Sequence, residues 1–133
     1  MNTPAKFVLI DDNHISCLIT ERLLKSIGMR DAVTSFMDGN KALKYIQSDA
    51  ALNNGKTILL VDLQMPLMSG FSFLQHFEML PQNIREHYSV YIVTSSINPA
   101  DHKEAANYPS VKKFVCKPLT ANVVNEMLAE TYQ

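Results

Sequence analysis

The sequence is poor in the residues that cross-link a chain or bind transition metals. It has only two cysteines in 133 residues, no C-x-x-C or H-E-x-x-H motif, and four scattered histidines. The histidines lack metal-ligand spacing, so we expect surface or half-buried side chains rather than ligands. Cys17 and Cys116 each lie among apolar neighbours. This pattern favours two buried, reduced thiols in a cytoplasmic setting over a disulfide.

Long apolar runs and an excess of one charge are also absent. No run approaches the length of a membrane span, and the net charge is −1 without a basic stripe. We therefore expect neither membrane insertion nor direct contact with nucleic acid. Hydrophobic residues make up 47% of the chain and charged residues 19%, as in globular proteins. The length predicts a single domain over residues 1–133.

Short apolar segments alternate with helical patterns along the chain. Ile58–Val61 predicts a strand buried on both faces, as in a parallel sheet. Four further strands are predicted, at Phe7–Ile10, Ala32–Phe36, Val90–Val93 and Val111–Cys116. The intervening apolar residues follow helical spacing, with helices beginning near His14, Asp38, Gly70, Ala100 and after Thr120. A turn is predicted at Asn53–Asn54–Gly55.

Two of the predicted helices have distinctive faces. The helix after Gly70 carries one apolar stripe, formed by Phe71, Leu74, Phe77 and Leu80. Pro81 is expected to end or kink this helix. Residues 82–88 form a polar extension that is long enough for one more helical turn. The helix Ala100–Asn107 has only alanines on its apolar face, so we expect it to be the least firmly packed element.

The strict alternation predicts an α/β fold with a parallel sheet covered by helices on both faces. Right-handed crossovers leave few arrangements. The favoured one is the flavodoxin-like (βα)5 fold, a doubly wound five-stranded parallel sheet with strand order 2-1-3-4-5. Its crevice lies between strands one and three, outside the carboxyl ends of the strands.

Polar side chains follow four of the five predicted strands at that edge. They are three acids, a hydroxyl and a lysine: Asp11, Asp12, Asp62, Thr94 and Lys117. Three carboxylates in one cleft repel each other, and one lysine offsets only part of their charge. A hard cation such as Mg²⁺ would balance the remainder, and such a site suits phosphoryl transfer with Asp62 as nucleophile. The alternative is a purely structural cluster of ion pairs.

With these residues in place, the chain resembles the receiver domain of two-component response regulators. The resemblance extends from about residue 6 to 132. It includes the acidic pair Asp11–Asp12 and the segment Val-Asp-Leu-Gln-Met-Pro-Leu-Met-Ser-Gly around Asp62. It also includes Thr94, Phe114 and the pair Lys117–Pro118, whose peptide bond is usually cis in that family.

The resemblance implies a role for each of these residues. Asp62 would accept a phosphoryl group from the phosphohistidine of a histidine kinase or a histidine phosphotransfer protein, assisted by Lys117 and Thr94. Mg²⁺ would be held by Asp11, Asp12, Asp62 and the backbone carbonyl of Gln64. Thr94 and Phe114 would then switch a surface that a downstream target protein reads, formed by the fourth long helix, strand five and the last helix.

The resemblance leaves other properties open. The protein would catalyse its own phosphorylation and dephosphorylation without being a conventional enzyme, as a monomer or a weak, phosphorylation-dependent dimer. Gln64 and Ser96 occupy positions that tune dephosphorylation in relatives, so the phosphoryl lifetime is not determined. The chain ends one helix after Lys117, which fits either a stand-alone receiver or an excised domain.

The sequence also bears on three alternative functions. A degenerate receiver acting only as a binding module does not require the complete set of five polar residues. A phosphatase of the haloacid-dehalogenase type requires an acid two residues after its nucleophile, where this chain has Gln64 after Asp62 and Asn13 after Asp11. A flavodoxin requires a phosphate loop rich in Ser, Thr and Gly after strand one, which is absent here.

Overall fold

The computed structural model describes residues 5–29, 32–48, 55–65 and 68–132. In these ranges, five parallel strands form one sheet in the order β2-β1-β3-β4-β5. The strands are β1 (Phe7–Ile10), β2 (Val33–Phe36), β3 (Thr57–Val61), β4 (Tyr88–Thr94) and β5 (Val111–Cys116). The predicted flavodoxin-like α/β fold and its strand order are confirmed. The turn residues Asn53 and Asn54 lie outside the described residues.

Helices connect the strands, and side-chain caps fix where most of them begin. The five longer helices are α1 (His14–Ser26), α2 (Gly39–Ile46), α3 (Gly70–Glu78), α4 (Pro99–Ala105) and α5 (Ala121–Thr131). Each is preceded by a side chain that accepts a backbone N–H of its first turn, namely Asn13, Asp38, Ser69, Asn98 and Thr120. None of the helices in the described ranges has both the length and the apolar character of a transmembrane span.

The core consists of two layers, one on each face of the sheet. Alternate strand residues point to opposite faces. Val8 and Ile10 of β1 therefore pack with α2 and α3, whereas Phe7 and Leu9 pack with α1 and α5. From Thr57 to Val61, β3 is buried along its whole length, as predicted for a central parallel strand.

Between α3 and β4 the predicted additional helical turn is present, but β4 begins earlier than predicted. Residues 82–88 contain one short helix, Gln82–Arg85, but Tyr88 and Ser89 already belong to β4. In α3 the buried aromatic residues are Phe73 and Phe77, whereas Phe71 is only half-buried and stacks on Tyr108 at 5.7 Å between ring centroids. Leu74 and Phe77 of the predicted stripe are buried, Phe71 and Leu80 pack against the core only in part, and the prediction is incomplete without Phe73. The helix is rotated so that Phe73 enters the core.

The two cysteines are in different environments. Both are free, in agreement with the prediction of reduced thiols. Cys17 is buried, its thiol donates to the backbone oxygen of Asp11 at 3.0 Å, and burial raises its pKa to about 11. Cys116 is exposed, so the prediction of two buried thiols was wrong for this residue. Cys116 is the last residue of β5, which lies at the edge of the sheet and is only partly buried.

Candidate functional site

The carboxyl ends of β1 and β3 bring two acids side by side. Ile10 and Val61 are partners in the register of these strands, so the residues that follow them, Asp11 and Asp62, are neighbours. The backbone N–H of Asp62 donates to the oxygen of Ile10 at 3.0 Å, which continues the ladder to the site. Asp11 is 1% exposed and Asp62 is 6% exposed. Both carboxylates are therefore largely removed from solvent and need partners inside the protein.

Lys117 supplies the positive charge between the two acids. Its Nζ lies 2.9 Å from Oδ2 of Asp11 and 3.1 Å from Oδ2 of Asp62. Its backbone N–H donates to the oxygen of Thr94 at 2.8 Å, and the Lys117–Pro118 peptide bond is cis. The lysine thus extends from the end of β5 toward the ends of β1 and β3.

Backbone amides hold the second oxygen of each carboxylate. The N–H of Asn13 donates to Oδ1 of Asp11 at 3.0 Å, and the N–H of Gln64 donates to Oδ1 of Asp62 at 3.1 Å. Each carboxylate therefore accepts at least one backbone bond and one bond from Lys117. These bonds fix the orientation of both groups before any ligand is present.

The pKa values of the two acids are shifted in opposite directions. For Asp62, burial is the largest influence and raises the pKa, despite the hydrogen bonds from Gln64 and Lys117. For Asp11, burial also acts upward, but hydrogen bonds with Ser16, Lys117 and Asn13 together lower the pKa. Burial acts to lower the pKa of Lys117, but its bonds to both carboxylates raise it overall. Lys117 is therefore a cation and Asp11 an anion at neutral pH.

Thr94 ends β4, next to the strand that carries Asp62. It is fully buried, and its Oγ1 accepts the backbone N–H of Ser96 at 3.2 Å. The Oγ of Ser96 donates to the carboxylate of Asp101 in α4 and accepts the N–H of Asn98 at 3.3 Å. The threonine hydroxyl is thus bonded within its own loop, and that loop is tied to the first turn of α4.

Gln64 lies at the exposed front of the site. Besides the bond from its backbone N–H to Asp62, its side-chain Oε1 accepts the hydroxyl of Ser95 at 3.1 Å. This bond joins the loop after β3 to the loop after β4. The backbone N–H of Gln64 thus contacts Asp62, whereas the role of its carbonyl as a Mg²⁺ ligand stays a prediction.

Phe114 lies in β5, beside Ile92 of β4 in the strand register. It is half-buried, and its ring centroid is 3.7 Å from that of His102 on α4. Because His102 is exposed and its ring lies against that of Phe114, it covers Phe114 on the solvent side. Sequence reasoning assigned His102 no contact, because pairing between a helix and a neighbouring strand has no signature in one sequence.

Ser16 is the main site residue that the sequence did not indicate. Its Oγ accepts a hydrogen bond from Nζ of Lys117 at 2.6 Å, so it lies at the same cluster as Asp11 and Asp62. It is the third residue of α1, and its backbone N–H donates to Oδ1 of the cap Asn13 at 2.9 Å. The one signal in the sequence that could have placed Ser16 at the cluster is that the capped helix α1 begins only a few residues after Asp11.

The donor set at this edge suits a hard cation, although Asp12 stands apart. Asp11 and Asp62 offer carboxylate oxygens, the type of ligand that Mg²⁺ prefers, and three acids against one lysine leave net negative charge. In the described parts of the chain, no three His, Cys, Asp or Glu side chains lie together as a preformed metal cluster. Asp12 is half-buried next to Asp11, and Lys117 lies between the other two acids. The residue types therefore fit Mg²⁺.

Comparison with known proteins identifies the family. The sequence model of the response regulator receiver domain matches residues 7–129. The chain belongs to the response regulator receiver domain family. It is similar to a response regulator receiver protein from Dyadobacter fermentans, with 27% identity and a TM-score of 0.85 over 95% of this chain and 96% of that one.

Curated relatives of this receiver domain are much longer proteins. A gliding motility regulatory protein of Myxococcus xanthus is 30% identical over 74% of this chain and 12% of its own length. The hybrid signal transduction histidine kinase I of Dictyostelium discoideum is 25% identical over 94% of this chain and 7% of its own length. The chain thus spans only a small part of the length of these relatives.

Proposed function

We propose that this receiver domain accepts a phosphoryl group on Asp62. The observation that carries the proposal is the buried carboxylate of Asp62, with one oxygen on the N–H of Gln64 and the other 3.1 Å from Nζ of Lys117. A desolvated nucleophile beside a fixed cation is suited to phosphoryl transfer, in which catalysis consists largely of positioning and electrostatic stabilisation.

In the proposed reaction, an Oδ of Asp62 attacks the phosphorus of a phosphohistidine in line with the bond that breaks. The P–N bond cleaves, its electron pair stays on the imidazole, and the imidazole takes a proton. An acyl phosphate forms on Asp62, and Lys117 stabilises the charge on the phosphoryl oxygens. Asp11, Asp12, Asp62 and the backbone carbonyl of Gln64 would hold Mg²⁺, which would supply further neutralisation of the phosphoryl charge. Hydrolysis by water returns the free carboxylate.

The proposed switch uses Thr94 and Phe114. The Thr94 hydroxyl exchanges the amide of Ser96 for a phosphoryl oxygen, and Phe114 leaves His102 and turns inward. The loop that follows Thr94 is joined to α4 by the hydrogen bond between Ser96 and Asp101, so movement of this loop alters the position of α4. Because α4 buries only Ala105, it can shift at low cost. The surface of α4, β5 and α5 then carries the signal to a target protein.

An apolar groove beside the site supports docking of a protein phosphodonor. Ile15 and Ile19 are 69% and 59% exposed on α1, and with Leu119 they line a groove of about 360 Å³. Ser16 and Lys117 line the same groove, so it adjoins the reactive cluster. A histidine kinase or phosphotransfer protein that covers these side chains brings its phosphohistidine to Asp62. Exposed apolar patches of this kind are typical of protein interfaces. Such a donor and two free thiols favour a cytoplasmic location.

The acceptor assignment is tested by mass spectrometry with acetyl phosphate and Mg²⁺. The wild type should gain the mass of one phosphoryl group, and Asp62→Asn should gain none. Asp38→Asn is the matched control, because position 38 lies outside the cluster and Asn caps a helix as well as Asp does. Equal labelling of Asp62→Asn would disprove the assignment. An unlabelled wild type would instead favour a receiver that binds its partners without phosphorylation.

The donor surface is tested by comparing two phosphodonors. Ile15→Lys should slow transfer from a cognate phosphohistidine protein roughly tenfold or more, because it places a charge in an apolar interface. Its phosphorylation by acetyl phosphate should stay near the wild-type rate, since the small donor does not need the groove. Ile97→Lys, at an exposed isoleucine on another loop, is the matched control. Equal transfer rates for both variants would argue against docking on α1.

A further inference from the structure

The Ser16 hydroxyl reaches the reactive cluster from a rigid position. Ser16 lies in the first turn of α1, and the cap Asn13 holds its backbone N–H at 2.9 Å. Its Oγ is 2.6 Å from Nζ of Lys117, closer than either carboxylate oxygen, at 2.9 Å for Asp11 and 3.1 Å for Asp62. A hydroxyl held by a capped turn is a fixed point for a neighbouring side chain.

All three N–H donors of Lys117 have partners in this arrangement. A lysine ammonium has three donors and no acceptor, on a flexible stem that turns freely. Asp11 and Asp62 take two of these donors, and Ser16 takes the third. Without Ser16, the third donor would face the open groove along α1, which Ser16 and Lys117 both line.

We propose that Ser16 is a positioning residue for Lys117, holding the ammonium against Asp62 so that it is in place when a phosphoryl group arrives. The inference rests on the proposed phosphorylation of Asp62 and adds a residue to it. Ser16 itself does not touch the reacting atoms. It acts by restricting Lys117, which reduces the reorganisation needed to reach the transition state.

The test compares Ser16→Ala, which removes the hydroxyl, with Ser16→Thr, which retains it. The rate constant for phosphorylation of Asp62 by acetyl phosphate should fall roughly tenfold in Ser16→Ala. It should remain within about twofold of the wild type in Ser16→Thr. Ser26→Ala is the matched control, because Ser26 is exposed at the far end of the same helix and its hydroxyl donates to the oxygen of Leu23, away from the cluster.

A second readout follows Lys117 directly. In ¹⁵N-detected or ¹⁵N-edited NMR spectra, the ammonium of Lys117 should give a protected signal in the wild type and in Ser16→Thr. In Ser16→Ala that signal should broaden or vanish, because the ammonium exchanges faster with water. Loss of stability alone does not produce this pattern when Ser16→Ala keeps its dispersed backbone spectrum.

The outcomes separate this inference from the proposed function. A wild-type rate in Ser16→Ala, or an unchanged Lys117 signal, overturns the positioning role. If the wild type is not phosphorylated at all, the proposed function fails, and the ammonium signal alone decides whether Ser16 holds Lys117. Failure of Ser16→Thr to restore the rate and the signal also contradicts the proposal.

Discussion

Asp11 and Asp62 show that the same residue type at equivalent strand ends can have opposite properties. Both follow a buried strand and both contact Lys117. Hydrogen bonds with Ser16, Lys117 and Asn13 outweigh the effect of burial on Asp11, whereas burial prevails at Asp62. Asp11 is therefore stabilised as an anion, whereas burial disfavours the charged form of Asp62, a separation of pKa values typical of functional sites.

At this residue scale, replacing Asp62 should stabilise the fold. Burial raises the pKa of Asp62 above its ordinary value of 3.8, so the folded state disfavours the carboxylate relative to the carboxyl form. Asp62→Asn should therefore raise the free energy of unfolding at pH 7 without Mg²⁺, on the order of 1 kcal/mol. The gain should shrink as the pH falls, because the wild-type carboxylate then takes up a proton and loses the buried charge.

Urea denaturation at pH 4 and at pH 7 measures this difference. Asp38→Asn, at the exposed cap of α2, should show no such gain at either pH. A variant Asp62→Asn that is no more stable than the wild type at pH 7 would mean that the bonds from Lys117 and Gln64 outweigh the cost of burying the charge.

At the scale of single elements, the first residues of α2 and α3 are both buried glycines with different surroundings. A Cβ on Gly70 would lie 2.5 Å from the backbone oxygen of Asp62 and 2.7 Å from Cα of Leu63. A Cβ on Gly39 would meet the end of the flexible Met68 side chain, at 2.8 Å from its sulfur. Helix α3 thus begins directly against the strand end that carries Asp62.

Gly70→Ala should destabilise the protein by about 1–3 kcal/mol, because backbone has to move to accept the methyl group. It should also slow phosphorylation, since the Asp62 backbone is what moves. Gly39→Ala should cost less than about 1 kcal/mol, because Met68 can change its rotamer. Urea denaturation and acetyl phosphate labelling of both variants test this contrast. Equal losses of stability would show that the loop after β3 is more adaptable than its contacts indicate.

At the scale of the whole molecule, cation binding and folding should be linked. The carboxylates of Asp11 and Asp62 are side by side only in the folded chain, with Asp12 next in sequence to Asp11, so Mg²⁺ should bind the native state alone. At about ten times its dissociation constant, Mg²⁺ should raise the free energy of unfolding by about 1.4 kcal/mol. Thermal unfolding at constant ionic strength, with and without Mg²⁺, measures the effect.

Asp12→Asn should abolish most of that stabilisation, and Asp38→Asn should retain it. Asp12 is informative because the ammonium of Lys117 donates to Asp11, Ser16 and Asp62, so replacing Asp12 should not disturb that cluster. Equal Mg²⁺ stabilisation in Asp12→Asn and the wild type would remove Asp12 from the cation site.

The amino-acid sequence alone determined the parallel α/β sheet, its strand order and which polar residues lie at its carboxyl edge. These features follow from local patterns: apolar runs for buried strands, 3.6-residue spacing for helices, caps at helix starts and polar residues after strands. The resemblance to receiver domains rested on the same short motifs. Each of these signals is contained in a few consecutive residues.

Only the tertiary structure decided which side chains meet. It placed Ser16 on Lys117 and His102 on Phe114, turned Phe73 rather than Phe71 into the core, and left Cys116 exposed. These contacts depend on the rotation of each helix and on strands that are distant in sequence. A periodic pattern specifies that a face is buried, but the partners across it are set by packing of the whole domain.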